Sequence, residues 1–141
     1  MKNKSLTIAI AFMLLSFSSF SQATKSQLMN KVWKMDFPAS HAVYNVQQTE
    51  VYTANLLTVT FQALNMQPPS VVLYDYYLSN TIDTYYDGTK AGNTSGKYIV
   101  TMSVVYPDLF FNVFEIVEIT ETRLVIRGAL YHKKVLTFTA D

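Results

Sequence analysis

The dominant periodicity in this chain is two. In Leu57 to Ala63 the apolar residues Leu57, Val59 and Phe61 alternate with Thr58, Thr60 and Gln62, the signature of a strand with one buried face. Trp33, Met35 and Phe37 alternate with Lys34 and Asp36 in Val32 to Phe37, and Val72, Tyr74, Tyr76 and Leu78 share one face of Val71 to Ser79. From Lys97 onward, Tyr98, Val100, Met102, Val104 and Tyr106 separate from Ile99, Thr101, Ser103 and Val105. The first set is the more apolar and aromatic, so it is expected inward. Further strands are expected over Phe110 to Ile119, Arg123 to Arg127 and Val135 to Thr139, with Leu124, Ile126, Leu136 and Phe138 inward and both arginines outward. Gln48 to Thr53 is a weaker candidate, because it holds Val51 and Tyr52 without clean alternation. Only Thr24 to Asn30, ahead of all of these, reads as a short helix.

The connections support the same class. Pro38 ends the first strand before an expected loop over Ala39 to Asn45, and Pro68 and Pro69 cannot donate to a ladder, which makes Asn65 to Ser70 a second loop. The Val71 strand is expected to resume after a bend in Thr81 to Tyr86, Asp87-Gly88 reads as a tight hairpin turn, and Thr89 to Gly96 as a mobile hairpin end. Glu115 and Glu118 stand three apart and cannot both face water on a regular pleat, which implies a bulge near Val117 or a glutamate at an edge. About eight short strands with brief connections make an antiparallel sheet with one face to hide. A small up-and-down β-barrel is the expected solution and a β-sandwich the alternative. The intervals are too short for crossover helices, which excludes a parallel α/β fold.

Charge and composition change the picture at the N-terminus. Lys2 and Lys4 precede an uncharged apolar run from Leu6 to Phe20, and Ser21-Gln22-Ala23 ends it with small residues at −3 and −1. This pattern predicts a signal peptide over 1–23, cleavage near Ala23, and export to the periplasm or the extracellular space. The run is shorter than a spanning helix, and no later stretch is long and apolar enough for one, so no membrane span is expected in the mature form. Of 141 residues, 118 remain as a single domain at 24–141 once these 23 are removed. Loss of Lys2 and Lys4 lowers the basic count from 11 to nine, against 10 acidic residues. A near-neutral chain carries no nucleic-acid footprint. With no cysteine there is neither a lipobox thiol nor a disulfide, so packing alone stabilises the fold.

Three segments together carry a family resemblance. They are Leu28-Met29-Asn30-Lys31-Val32-Trp33, a helical start leading to a first-strand tryptophan; the midway turn Asp87-Gly88-Thr89; and the late strand pair from Phe114 to Ile126. On these the chain resembles the small secreted lipocalin-like domains of bacteria, a calycin-type barrel family. The resemblance implies an up-and-down barrel and binding of a small apolar molecule or of another envelope component.

Candidate chemistry is sparse. His41 and His132 have no partner at ligand spacing and there is no thiolate, so neither a metal site nor a cofactor is expected. Gly92-Asn93-Thr94-Ser95-Gly96 displaces the serine from the place a nucleophile elbow requires. Asp75, Asp83, Asp87, Asp108, Glu115 and Glu118 offer no pair with matched acid and base roles, and an enzyme is not expected. The set expected inward is Trp33, Phe61, Tyr74, Tyr76, Tyr98, Met102 and Tyr106. It forms either plain core or the lining of a ligand pocket. The tyrosines keep the pocket open as a reading, because each buried hydroxyl needs a partner that Phe or Leu would not. Tyr131 to Lys134, with Arg123 and Arg127, makes a basic patch. The expected function is an exported, non-enzymatic binding protein that takes a small apolar or amphipathic ligand in an aromatic-lined barrel. The alternative is an envelope or extracellular scaffold with a filled core, whose loops contact a protein partner or a glycan.

Overall fold

The computed structural model describes residues 22–37, 46–63 and 67–141. Most of the expected leader, together with loop residues 38–45 (with His41) and 64–66, lies outside them.

Two short strands, β1 (Ala23–Thr24) and β6 (Ser95–Gly96), pair only with each other. Eight more close on themselves as an antiparallel barrel: β2 (Val32–Met35), β3 (Val46–Tyr52), β4 (Leu56–Ala63), β5 (Ser70–Ser79), β7 (Tyr98–Ser103), β8 (Phe111–Ile119), β9 (Arg123–Gly128) and β10 (Val135–Ala140). Each of the eight pairs with its neighbour in the chain, apart from the short excursion between β5 and β7, and β10 returns to β2. That last pairing sets Phe138 opposite Met35 and decides between barrel and sandwich in favour of the barrel. Closure leaves no free edge among the eight strands.

Directly opposed residues of an antiparallel pair share a face, so the register fixes the interior. It holds Trp33, Tyr52, Leu57, Val59, Tyr76, Leu78, Ile99, Ile116, Leu124, Ile126 and Phe138, all buried in one cluster. The alternation of β4, β5, β9 and β10 therefore places those strands as the sequence predicts. Of the two readings of Glu115 and Glu118, a bulge or an edge glutamate, the structure takes the bulge: the register shifts between Ile116 and Glu118 and leaves Val117 as the extra residue. The bulge returns Ile119 to the inner face opposite Leu124.

Strand β7 is the exception. Its pairings with β5 set Thr101 opposite Tyr76 and Ile99 opposite Leu78, so the inward residues are Ile99, Thr101 and Ser103. Tyr98, Val100 and Met102 face out, the reverse of the expectation. The physical reason is a second, smaller apolar cluster outside the barrel wall. Here Tyr77, Val100 and Val113 are buried beneath Tyr86, Ala129 and Leu130. Both faces of β7 are covered, so the face with Thr101 and Ser103 can lie inward although it is the more polar, and apolarity does not reveal the strand's orientation.

One end of the barrel is plugged by the N-terminal segment. Strand β1 holds the chain against β6, and the one-turn helix α1 (Lys25–Leu28) drops Leu28 into the core at 0 % exposure. Asn30, at φ 61°, turns the chain from α1 into β2; asparagine is among the few side chains that tolerate that conformation. Lys25 drives its Nζ among three acceptors, Ala54 O, Asn55 Oδ1 and Ala91 O. The expected cut after Ala23 falls inside β1.

The segment read as a mobile hairpin end is thus part of this plug. Asn93 Nδ2 donates to Leu78 O at 2.9 Å, and Lys25 N donates to Thr94 O at 2.8 Å. A Cβ on Gly96 would stand 2.6 Å from the Ser79 backbone, so only glycine permits this close approach. Asp87-Gly88 is not a positive-φ hairpin turn either. Gly88–Lys90 is a 3₁₀ turn capped by the Asp87 side chain, and Thr81 to Tyr86 holds no strand.

Candidate functional site

Toward the opposite end, the barrel interior holds a cavity of about 120 Å³. Its apolar walls are Leu57, Val59 and Phe61 from β4, Phe114 from β8 and Leu136 from β10; Gln48, Glu50, Tyr74, Thr101 and Asn112 supply the polar groups. A larger recess of about 320 Å³ shares Asn112, Phe114 and Leu136 with it and runs beneath Ala129 to His132.

The seven residues predicted to line a pocket divide between three places. Trp33, Phe61, Tyr74 and Tyr76 belong to the interior cluster, and of these Phe61 and Tyr74 line the cavity. Trp33 is fully buried against the plug, with its Nε1 donating to Leu28 O at 2.9 Å. Tyr76 is also fully buried and donates to Thr53 O. Tyr98 and Met102 stand on the outer face of β7. Tyr98 borders a surface groove with Glu115, Arg127 and Lys133, and Met102 is opposed by Asp75 and Phe111. Tyr106 lies in the turn between β7 and β8, 57 % exposed and stacked edge-on to Phe110. Those three residues are not part of the interior.

Glu50 is the residue that sequence reasoning missed. Strand β3 turns Gln48, Glu50 and Tyr52 inward, opposite Phe61, Val59 and Leu57. An inward face made of glutamine, glutamate and tyrosine defeats an alternation search that equates apolar with buried. The usable signal was the hairpin itself: counting back from the Thr53-Ala54-Asn55 turn against the faultless alternation of β4 places Glu50 inside.

Glu50 is buried, 6 % exposed. It accepts from Tyr52 Oη at 2.7 Å and from Gln48 Nε2 at 3.2 Å. Burial pushes its pKa up to about 7, with the two hydrogen bonds pulling only partly the other way. The carboxylate in turn raises the pKa of the neighbouring phenols. Tyr52 is raised first by burial and then by Glu50, as is Tyr74, whereas burial alone raises Tyr76 to about 12. Tyr52 and Tyr76 also meet edge to face at 5.3 Å. Among the described residues, the Tyr74 hydroxyl and the Asn112 side-chain amide donate to no protein atom. The cavity therefore combines apolar walls with a buried acid and two uncommitted polar groups, which is the composition of a binding site more than of a packed core.

Elsewhere several charged groups are paired at or near the surface. Arg127 pairs with Glu115, Arg123 lies 3.8 Å from Glu118, and Asp83 accepts from Tyr77 Oη and Lys90 Nζ. Two arginines of the expected basic patch are thereby matched with acids, while His132, Lys133 and Lys134 remain exposed. No group of His, Asp or Glu suited to a metal ion occurs among the described residues, nor is any helix among them long and apolar enough to cross a membrane. Comparison with family models, curated proteins and solved structures finds no match.

Proposed function

We propose that this chain is an exported, non-enzymatic binding protein whose lipocalin-like barrel takes a small, largely apolar ligand in its interior. The observation that carries this reading is the cavity of about 120 Å³ between Phe61, Phe114, Leu136 and Glu50. A buried carboxyl with no cationic partner costs stability, and a scaffold with a merely filled core gains nothing from keeping one there. The leader pattern expected from the sequence, the first-strand tryptophan and the barrel agree with the resemblance to small secreted bacterial lipocalin-like domains. At about 120 Å³ the cavity is somewhat smaller than the roughly 150 Å³ that holds benzene, so it takes a short chain alone, or one ring that extends past Phe114 and Leu136 into the adjoining recess of about 320 Å³.

The experiment uses Trp33, the single tryptophan, which lies directly across the β2–β3 ladder from Glu50. Titration of the purified protein with toluene is expected to give a saturable change in its emission, absent from Trp33→Phe. Blue-shifted emission that ignores toluene and other one-ring or short-chain probes would sink the reading.

A second reading, a scaffold whose rim contacts an envelope partner, draws on the β7–β8 turn. Val104, Val105, Tyr106, Leu109 and Phe110 are all exposed there, Leu109 at 74 %, an apolar grouping that a solvated turn does not need. Loss of partner capture on Leu109→Asp, with toluene binding intact, would assign the rim a role of its own.

A further inference from the structure

The same cavity constrains the polar end of its ligand. Both Glu50 oxygens are held by neutral donors. Among the described residues no lysine, arginine or histidine forms an ion pair with it. The titratable groups around it are all phenols, Tyr52 on its own strand and Tyr74 and Tyr76 from β5. The remaining elements face the cavity with uncharged residues: Trp33 from β2, Leu57, Val59 and Phe61 from β4, Thr101 from β7, Asn112 and Phe114 from β8, and Leu136 from β10. The cavity is thus lined by one potential negative charge and no positive one; the buried ammonium of Lys25 lies at the plugged end, 5.2 Å from the Tyr76 ring centroid and held by Ala54 O, Asn55 Oδ1 and Ala91 O, and does not line the cavity.

Resting on the ligand-cavity reading above, we infer that the cavity takes a small apolar molecule ending in a protonated amine, with its ammonium against Glu50. An ammonium brings three donors and no acceptor. The cavity offers matching acceptors in the Glu50 carboxylate, Asn112 Oδ1, Tyr74 Oη and Thr101 Oγ1. The ligand supplies the countercharge that the protein lacks, and a charge pair formed in a low-dielectric interior is stronger than one in water. A carboxylate ligand meets the opposite situation, because two like charges in one site force one of them to take up a proton. Phe61, Phe114 and Leu136 would hold the apolar body.

Three probes of one shape test this: benzylamine, toluene and benzoate, titrated calorimetrically into wild-type protein and into Glu50→Gln at pH 8. Wild type is expected to bind benzylamine about tenfold or more tighter than toluene, as a charge-assisted hydrogen bond implies, and benzoate most weakly. Glu50→Gln should erase the lead of benzylamine, read as the ratio of the benzylamine and toluene affinities within that variant. In wild type alone, that lead should also shrink between pH 8 and pH 5, where benzylamine stays protonated and Glu50 does not stay ionised. Equal binding of benzylamine and toluene by wild type, a lead that survives in Glu50→Gln, or preferred benzoate would overturn the inference while leaving the cavity reading intact. No binding of any probe to folded protein would overturn both.

Discussion

At the scale of the residue, Glu50 concentrates the conflict between stability and function. Its pKa is about 7 in the fold, against an ordinary 4.5, so between those values the folded state holds a proton that the unfolded state has released. Stability is then fully present below about pH 4.5 and falls as pH rises to about 7, above which the loss is constant. The gap corresponds to roughly 3 kcal/mol. Glu50→Gln is expected to recover up to that amount at pH 8 and almost none at pH 4, which chemical denaturation at the two pH values would show. The substitution is nearly isosteric, and the Gln48 amide can turn to present its oxygen to the new donor. An equal effect at both pH values would mean that burial does not raise the Glu50 pKa in the fold. Tyrosines obey the same accounting. Tyr52, Tyr76 and Tyr77 each spend the hydroxyl on a named acceptor, Glu50, Thr53 O and Asp83, and Tyr74 keeps its own for the cavity.

At the scale of the element, the register decides what each residue does. The Val117 bulge is the clearest case: Ile116 opposes Ile126, and Glu118 then opposes Val125 with Val117 unpaired. Deleting Val117 leaves every face of β8 and β9 as it was. A cooperative thermal unfolding curve with a lowered midpoint is therefore expected, the loss reflecting the local twist that the bulge supplies. Deleting Val100 from the regular strand β7 should abolish cooperative folding, because a one-residue slip turns its remaining inward residues outward. Circular dichroism on both deletions makes the comparison, and similar melts would show that the β7 register is not held by its inner face. The orientation of β7 also shows what pattern reading can extract. Its strand character was legible, but its direction depended on the Tyr77, Val100 and Val113 cluster, which forms only when the Asn80 to Lys97 excursion and the β9–β10 connection fold over the wall.

At the scale of the whole molecule, closure and plugging distinguish the two ends. The plugged end joins parts far apart in sequence, with Lys25 reaching Ala54, Asn55 and Ala91, and Leu28 buried beside Trp33. Strand β10 completes the wall by pairing with both β9 and β2. Removal of residues 135–141 would expose two long ladder edges and the aromatic interior together, and the expected result is loss of cooperative unfolding and aggregation on purification. A soluble, cooperatively melting truncation would contradict a closed barrel.

The sequence by itself determined the strand content, the inward faces of β4, β5, β9 and β10, the alternative of a bulge near Val117 or a glutamate at an edge, and the leader pattern expected to direct export. These are local properties, set by alternation, turn chemistry and the charge flanking an apolar run. Closure, the outward turn of Tyr98 and Met102, and the placing of Glu50 inside were decided only by the tertiary structure. Each depends on which strand lies opposite, and pairing partners distant along the chain leave no periodic trace in either one alone.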